Sequence, residues 1–390
     1  MHSLFRRAKA PAPMPMPMLS FPGKKALRFT GDTSAAERDV DLAVLMHARS
    51  HVVLASECAK ASAAETAAAL RAYLRIIYAS QMMGGSMQQM LRFAWRDAGS
   101  GKKKAKASAS AAAAGQGQGH TSLSTEWAVA LFALAAELAR AAAEEDRRGS
   151  DGIRRACTAL CDAAGALRAA AARSALPSDR LCHMTDACLA AFERLMLAQA
   201  LECYFELAFA GGKPPALCSK IARQVSLDYV EVSVALASLQ QQQAIDRSWA
   251  PHAQAKAAYF HAEACLLRAR ALREQGPGVA GEAVARLRLA VSVLEAAGKG
   301  PLKKSSSSSA APAAVRDAAA RLRREVDAEL AAVEADNCQV YCERVPAADA
   351  LADLPGLPEP LVRPTAVERV LREADGEAAL ASGGAPTIRH

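Results

Sequence analysis

From residue 122 onward the chain repeats one device: a long alanine-rich run at helical spacing, a short turn bearing Gly or Pro, then another such run. Alanine is the best helix former because it has no side-chain entropy to lose, and its small side chain lets helix backbones approach closely. Aromatic residues make up only 5% of the chain and β-branched runs are scarce, so little is left from which to build a sheet. The pattern restricts the chain to an all-α architecture packed through small residues. Its 390 residues suffice for one long helical array or two ordinary domains.

The apolar spacing predicts helices over 35–63, 65–80, 124–148, 153–172, 181–209, 216–239, 251–273, 280–297 and 313–336. Leu70, Tyr73, Leu74 and Ile77 share a face of the second. Residues 91–97 alternate apolar and polar side chains and fit a short strand or a helical turn. Gly149-Ser-Asp-Gly, Gly211-Gly-Lys-Pro-Pro and Gly276-Pro-Gly mark breaks between helices. Tyr259, Ala262 and Leu266, followed by Ala283, Leu287 and Ala290 on the next helix, look like a tetratricopeptide-type pair. Helix pairs of this kind stack into extended binding surfaces, so binding is the default function.

Charge and low complexity divide the chain further. The formal net charge is +8, but Arg6, Arg7, Lys9, Lys24, Lys25 and Arg28 lie in an acid-free lead, and Lys102, Lys103, Lys104 and Lys106 in an acid-free insert. Without these two segments the remainder is slightly acidic, which argues against a folded nucleic-acid groove. Residues 1–29 read as a disordered basic lead, 30–364 as one domain with low-complexity inserts at 99–120 and 298–312, and 365–390 as a flexible tail. Residues 11–18 alternate Pro and Met instead of forming an apolar secretory core, and no stretch is apolar for long enough to span a bilayer. Ten scattered cysteines with no C-x-x-C pair read as reduced thiols.

No catalytic constellation emerges. His47 and His51 are one turn apart but lack the intervening acid of H-E-x-x-H and read as a solvated pair. No G-x-S-x-G occurs and no Cys-x5-Arg nucleophile loop follows a His, and Gly84-Gly85 and Gly211-Gly212 lack the Lys-Ser/Thr context of a phosphate cradle. The chain is therefore read as a non-enzyme without cofactor, metal or small-molecule substrate.

Three stretches, in order, resemble the Bro-one (BRO) domain family of Alix-type proteins. Asp336-Asn-Cys-Gln-Val-Tyr-Cys-Glu-Arg-Val-Pro346, followed by Leu354-Pro-Gly-Leu357 and Leu361-Val-Arg-Pro364, is similar to the family's closing segment. Met196-Leu-Ala-Gln-Ala-Leu-Glu-Cys-Tyr-Phe205 resembles its Ala-Gln-Ala helix, in register through Lys220-Ile-Ala222. Residues 91–97 and 127–145 resemble its early segments. The resemblance covers roughly residues 70–364. It implies a curved, boomerang-shaped helical domain with a tetratricopeptide-like helix-pair core and a small accessory β-sheet.

The resemblance also implies a function: a non-enzymatic adaptor of endosomal sorting, cytoplasmic and recruited to endosomes. Such a domain binds the C-terminal amphipathic helix of a Snf-seven type ESCRT-three subunit on a concave apolar patch. Tyr204, Leu217 and Ile221 occupy the patch positions, with Arg154 as the basic position. Leu217 and Ile221 share a face at i, i+4, and Tyr204 lies one turn of chain upstream. The sequence departs from the family in having Tyr for Phe at 204 and Ser150 at an acidic position. Read without the family, all three apolar residues would be core. Lys102, Lys103, Lys104 and Lys106 would add weak affinity for anionic endosomal membrane. Tyr341 is read as a packed residue bracing the last helix, with phosphorylation as the alternative. Two other functions compete: a rhophilin-like signalling scaffold for small-GTPase or cytoskeletal regulation, and an interaction module whose sorting site is lost.

Overall fold

The computed structural model describes residues 15–28, 40–58, 61–82, 92–97, 118–172, 183–241, 245–303 and 312–372. Ten helices and three strands occur among them: β1 (Lys24–Ala26), α1 (Val40–Glu57), α2 (Ala63–Met82), β2 (Phe93–Asp97), β3 (Gln118–His120), α3 (Leu123–Glu144), α4 (Ser150–Ala171), α5 (Asp186–Ala210), α6 (Pro215–Gln241), α7 (Trp249–Gln275), α8 (Ala280–Lys299), α9 (Ala313–Asp336) and α10 (Val367–Val370). From α1 to α9 each helix packs on the next, which is the helix-pair array that the turn spacing predicts.

Local chemistry sets many of the boundaries. Ser62 and Glu65 cap α2 reciprocally: the Ser62 N–H donates to the Glu65 carboxylate at 2.7 Å and the Glu65 N–H to Ser62 Oγ at 3.1 Å. Ser122 and Thr185 accept N–H bonds at the starts of α3 and α5. Gly276 and Gly278 both take positive φ in the turn from α7 to α8, which a side chain would resist. Helices α6 and α7 approach through small residues, and Ser219 and Ser226 donate to the carbonyls of Ala264 and Ala257 at 2.8 and 2.9 Å.

The sheet is antiparallel in the order β1-β2-β3, with Lys25 opposite Arg96 and Ala94 opposite Gly119. Of the stretch 91–97, Phe93–Asp97 thus resolves as a strand. A buried polar knot fastens the sheet to the helices. Glu126 on α3 pairs with Arg49 and accepts from Tyr73 at 2.7 Å and from Trp95 Nε1 at 2.8 Å. Arg49 in turn donates to the carbonyls of Leu27 and Ala94.

The lead is not disordered over residues 15–28. Phe21 is buried, stacks on Phe192 with ring centroids 4.7 Å apart, and tilts against Phe132. Leu19 exchanges two hydrogen bonds with the Gln199 side chain, at 2.6 and 3.0 Å. Composition suggested a solvated lead because the Pro-Met alternation and bare positive charge carry no periodic signal. The order comes from tertiary contacts alone. The tail expected from 365 likewise begins with an ordered turn, α10, where Arg71 donates to the Val370 carbonyl at 2.9 Å.

Between α9 and α10 the chain runs as an irregular strap that crosses the helices in reverse order. It passes α8 where Glu343 caps the helix through the Gly278 and Gly281 N–H groups at 2.6 and 2.9 Å. It reaches α6 where Gln224 Oε1 accepts the Leu357 N–H at 3.3 Å, and α4 where the Thr365 N–H donates to the Cys161 carbonyl at 3.0 Å. Two helix glycines make room for it. A Cβ on Gly281 would lie 2.3 Å from the Arg344 oxygen, and one on Gly165 would lie 1.9 Å from the Thr365 oxygen.

Candidate functional site

The strap defines one face of the array and covers only part of it. A groove of about 300 Å³ opens where strap residues 357–362 meet Leu197 and Leu201 of α5 and Gln224, Asp228 and Glu231 of α6. Burial pushes the Asp228 carboxyl up to about 6, against a hydrogen bond from Gln224. Tyr204 lies three residues beyond Leu201 on α5, and Leu217 seven residues before Gln224 on α6, so helical spacing puts both on the strap side. They fall one or two turns nearer the α5–α6 connection, past the end of the groove.

The predicted patch residues divide there. Leu217 is 37% exposed in the first turn of α6, and Tyr204 is half-buried. Partial burial, with a smaller push from the nearby Cys157 thiol, raises the Tyr204 phenol above its ordinary value. Arg154 is exposed on α4. Ile221 is only 1% exposed and belongs to the core, so it does not form part of an exposed patch. The reason is helical phase. Cys218, Ile221, Ala222, Val225, Tyr229 and Val232 form the buried stripe of α6, while Leu217 sits at its edge.

The other candidates also have definite places. Tyr341 is 41% exposed beside Val340, which is 70% exposed, in a π-turn (Asn337–Tyr341) closing α9. The packed reading is thereby overturned, because Asn337 does the bracing: its side chain donates to the Glu343 carbonyl at 3.0 Å and accepts the Glu343 N–H at 3.1 Å. His47 and His51 face each other on the surface at 3.0 Å. Lys102, Lys103, Lys104 and Lys106 lie outside the described residues.

Sequence reasoning missed a buried ionic cluster beneath the site. Lys256 of α7 donates to both Glu202 oxygens, at 3.1 and 2.8 Å, and Arg147 bonds Glu206 at 2.7 Å while also reaching the Met16 carbonyl. Burial pushes the Glu206 carboxyl up to about 7 despite Arg147. The available signal was four charged residues on predicted helix faces with no solvent-side pattern. Nine cysteines among the described residues are free thiols. No group of three His, Cys, Asp or Glu side chains that could hold a metal occurs among those residues, and no helix there is long and apolar enough to cross a membrane.

Comparison with known proteins agrees with this architecture. The BRO1-like domain pattern matches residues 24–382. The chain is 34% identical over 238 residues to the vacuolar-sorting protein BRO1 of Arabidopsis thaliana, covering 60% of this chain and 27% of that protein. It is 29% identical over 311 residues to the human tyrosine-protein phosphatase non-receptor type 23, covering 78% of this chain but 17% of that one. It thus spans about a quarter or less of these relatives. Among solved structures, the ALIX BRO1 domain in the ALIX BRO1–CHMP4C complex superposes with a TM-score of 0.72 at 20% identity, covering 90% of this chain and 96% of that chain. A Bro1 domain studied for endosomal targeting gives 0.71 at 15% identity, covering 92% and 95%. With the helical array, the accessory sheet and a pattern match over nearly the whole described length, the chain belongs to the BRO1-like domain family.

Proposed function

We propose that this domain is a docking module of endosomal sorting. Its strap-side, concave face receives the amphipathic C-terminal helix of a Snf-seven type ESCRT-three subunit. The observation that carries the reading is exposed Leu217 and half-buried Tyr204, both near the α5–α6 connection on the part of the strap-side face past the end of the groove. An amphipathic helix laid in such a groove buries its apolar stripe there. Exposed Arg154 on the neighbouring α4 offers a charge to the partner's polar flank. A domain of the same fold has been solved as the ALIX BRO1–CHMP4C complex, and the Arabidopsis relative is named for vacuolar sorting. The module works by binding and not by chemistry, and recruitment to endosomes follows from its partner. Lysines 102, 103, 104 and 106 add weak affinity for anionic lipid, and exposed Tyr341 is a phosphorylation site.

The test is a fluorescence titration of the full chain with a labelled C-terminal helix peptide from a Snf-seven type subunit. Saturable binding supports the reading. Its absence in a folded protein moves the function toward the rhophilin-like scaffold, whose support is 33% identity to human Rhophilin-1 over 175 residues.

A further inference from the structure

We propose that His47 and His51 form a surface chelate for one divalent cation of the nickel(II) and copper(II) class, on the solvent face of α1. The two imidazoles stand one helical turn apart and both are exposed. Their Nε2 atoms lie 3.0 Å apart. The ring centroids lie farther apart, at 4.6 Å, so the rings converge toward their Nε2 ends. One Nε2–H is shared between the two nitrogens, and an ion seated there takes that proton's place.

The fold holds the pair in this position. Leu42, Leu45, Arg49, Val52 and Val53 are buried, and helical phase turns His47 and His51 the other way. Arg49, between them in sequence, pairs with Glu126 and donates to the carbonyls of Leu27 and Ala94. The inward face of the same turn is therefore pinned. Residues one turn apart on a helix have Cβ atoms about 5–6 Å apart, close enough for both rings to reach one ion. Two ligands held on one rigid turn are already placed when the ion arrives, which lowers the ordering cost of binding.

The spacing of the nitrogens selects the ion. Metal–imidazole bonds run about 2.0–2.1 Å. At right angles such bonds set the two nitrogens about 2.9 Å apart, and at the tetrahedral angle about 3.3 Å. The observed 3.0 Å fits neighbouring corners of a square-planar or tetragonal ion. Tetragonal nitrogen and oxygen coordination is the preference of copper(II) and nickel(II), and water fills the remaining corners. Ala48, Arg49 and Ser50 separate the two histidines, so no acid between them stands ready to activate a bound water. The site binds and does not hydrolyse. No electron moves: the ring that gives up its Nε2–H keeps a proton on Nδ1. Because the paired geometry exists only in the helix, a bound ion staples α1 and stabilises the fold by mass action. The inference rests on α1 alone and is independent of the docking reading at α5 and α6.

The test is equilibrium dialysis of the full chain, kept reduced by a phosphine, against nickel(II), which unlike copper(II) does not oxidise thiols. Cys58→Ser, Cys182→Ser, Cys338→Ser and Cys342→Ser, with His2→Gln and His390→Gln, remove competing ligands from this parent. We expect one nickel(II) per chain. Adding His47→Gln or His51→Gln should each weaken binding by at least about 10-fold, because the second imidazole binds at the effective concentration its helix sets. Helicity by circular dichroism should not change, since both side chains are exposed. The same nickel(II) concentration should raise the urea midpoint of the parent more than that of either variant. X-ray absorption at the nickel edge should show imidazole nitrogen and oxygen neighbours. No uptake by the parent, single variants that bind as tightly as the parent, or sulfur in the nickel shell would each overturn the proposal.

Discussion

Lys256 Nζ lies 2.8 Å from Glu202 Oε2, and neither side chain reaches solvent. A charge pair this deep is stable only while both partners remain, because the survivor of a single deletion is left in a medium that cannot solvate it. Tyr229 Oη, 3.3 Å from the ammonium and also bonded to Glu202, ties α6 into the same contact. Lys256→Met should therefore destabilise the domain by about 3–5 kcal/mol in urea unfolding, and adding Glu202→Leu should restore much of the loss. A single variant as stable as the wild type would contradict this assignment.

Glu263 on α7 offers a test by pH. Burial, reinforced by Glu325, pushes its carboxyl up to about 7, from an ordinary value of 4.5. An acid whose folded value is raised binds its proton more tightly in the folded state. Its stabilising contribution is therefore full below about 4.5 and is lost as pH rises through 7. His252 and His261, lowered by burial from 6.5 to about 3 and about 4, act in the opposite sense over an overlapping range, destabilising the fold as pH falls below 6.5. The informative quantity is thus the difference between Glu263→Gln and wild type. The variant should gain of order 3 kcal/mol relative to wild type between pH 4.5 and pH 8, read from urea midpoints at both ends.

Phe21 tests the ordered lead. Its ring lies against Phe132 and Phe192, with only 4% of its surface exposed. Phe21→Ala should cost about 3–5 kcal/mol in chemical denaturation, the loss expected for emptying a buried aromatic site. A loss below about 1 kcal/mol would mean that the lead does not pack as described.

Gly165 tests the strap. Alanine there would bring its Cβ within 1.9 Å of the Thr365 oxygen, so the strap must lift and the Thr365–Cys161 backbone bond must break. Gly165→Ala should leave helicity nearly unchanged while residues 343–366 become sensitive to limited proteolysis and the Thr365 amide exchanges faster.

The sequence and the structure agree where a periodic pattern is long and local. Helices α2 to α9 announce themselves through apolar spacing and Gly/Pro turns, and their ends agree within a few residues. Features made by distant partners were invisible. Phe21 carries no local signal because its order comes from residues more than a hundred positions away. Gly165 sits inside an alanine-rich helix with no local signal of the strap, although a helix-interior glycine is what a crossing backbone requires. Family position places Ile221 at the surface. The buried stripe of α6 claims it, and only Leu217 and Tyr204 keep exposed surface.

The proposed docking of a partner helix on the uncovered turn around Leu217 is open to direct test. The most direct measurement compares two aspartate variants on α6 in the same peptide titration: Leu217→Asp, at the patch, and Val234→Asp, 66% exposed farther along the helix. A carboxylate forced into an apolar docking contact costs several kcal/mol, so Leu217→Asp should weaken Kd by at least about 100-fold. Val234→Asp should stay within about threefold of wild type, as surface changes away from a contact do. Equal Kd values for Leu217→Asp and wild type, or equal losses for both variants, would rule out docking at Leu217.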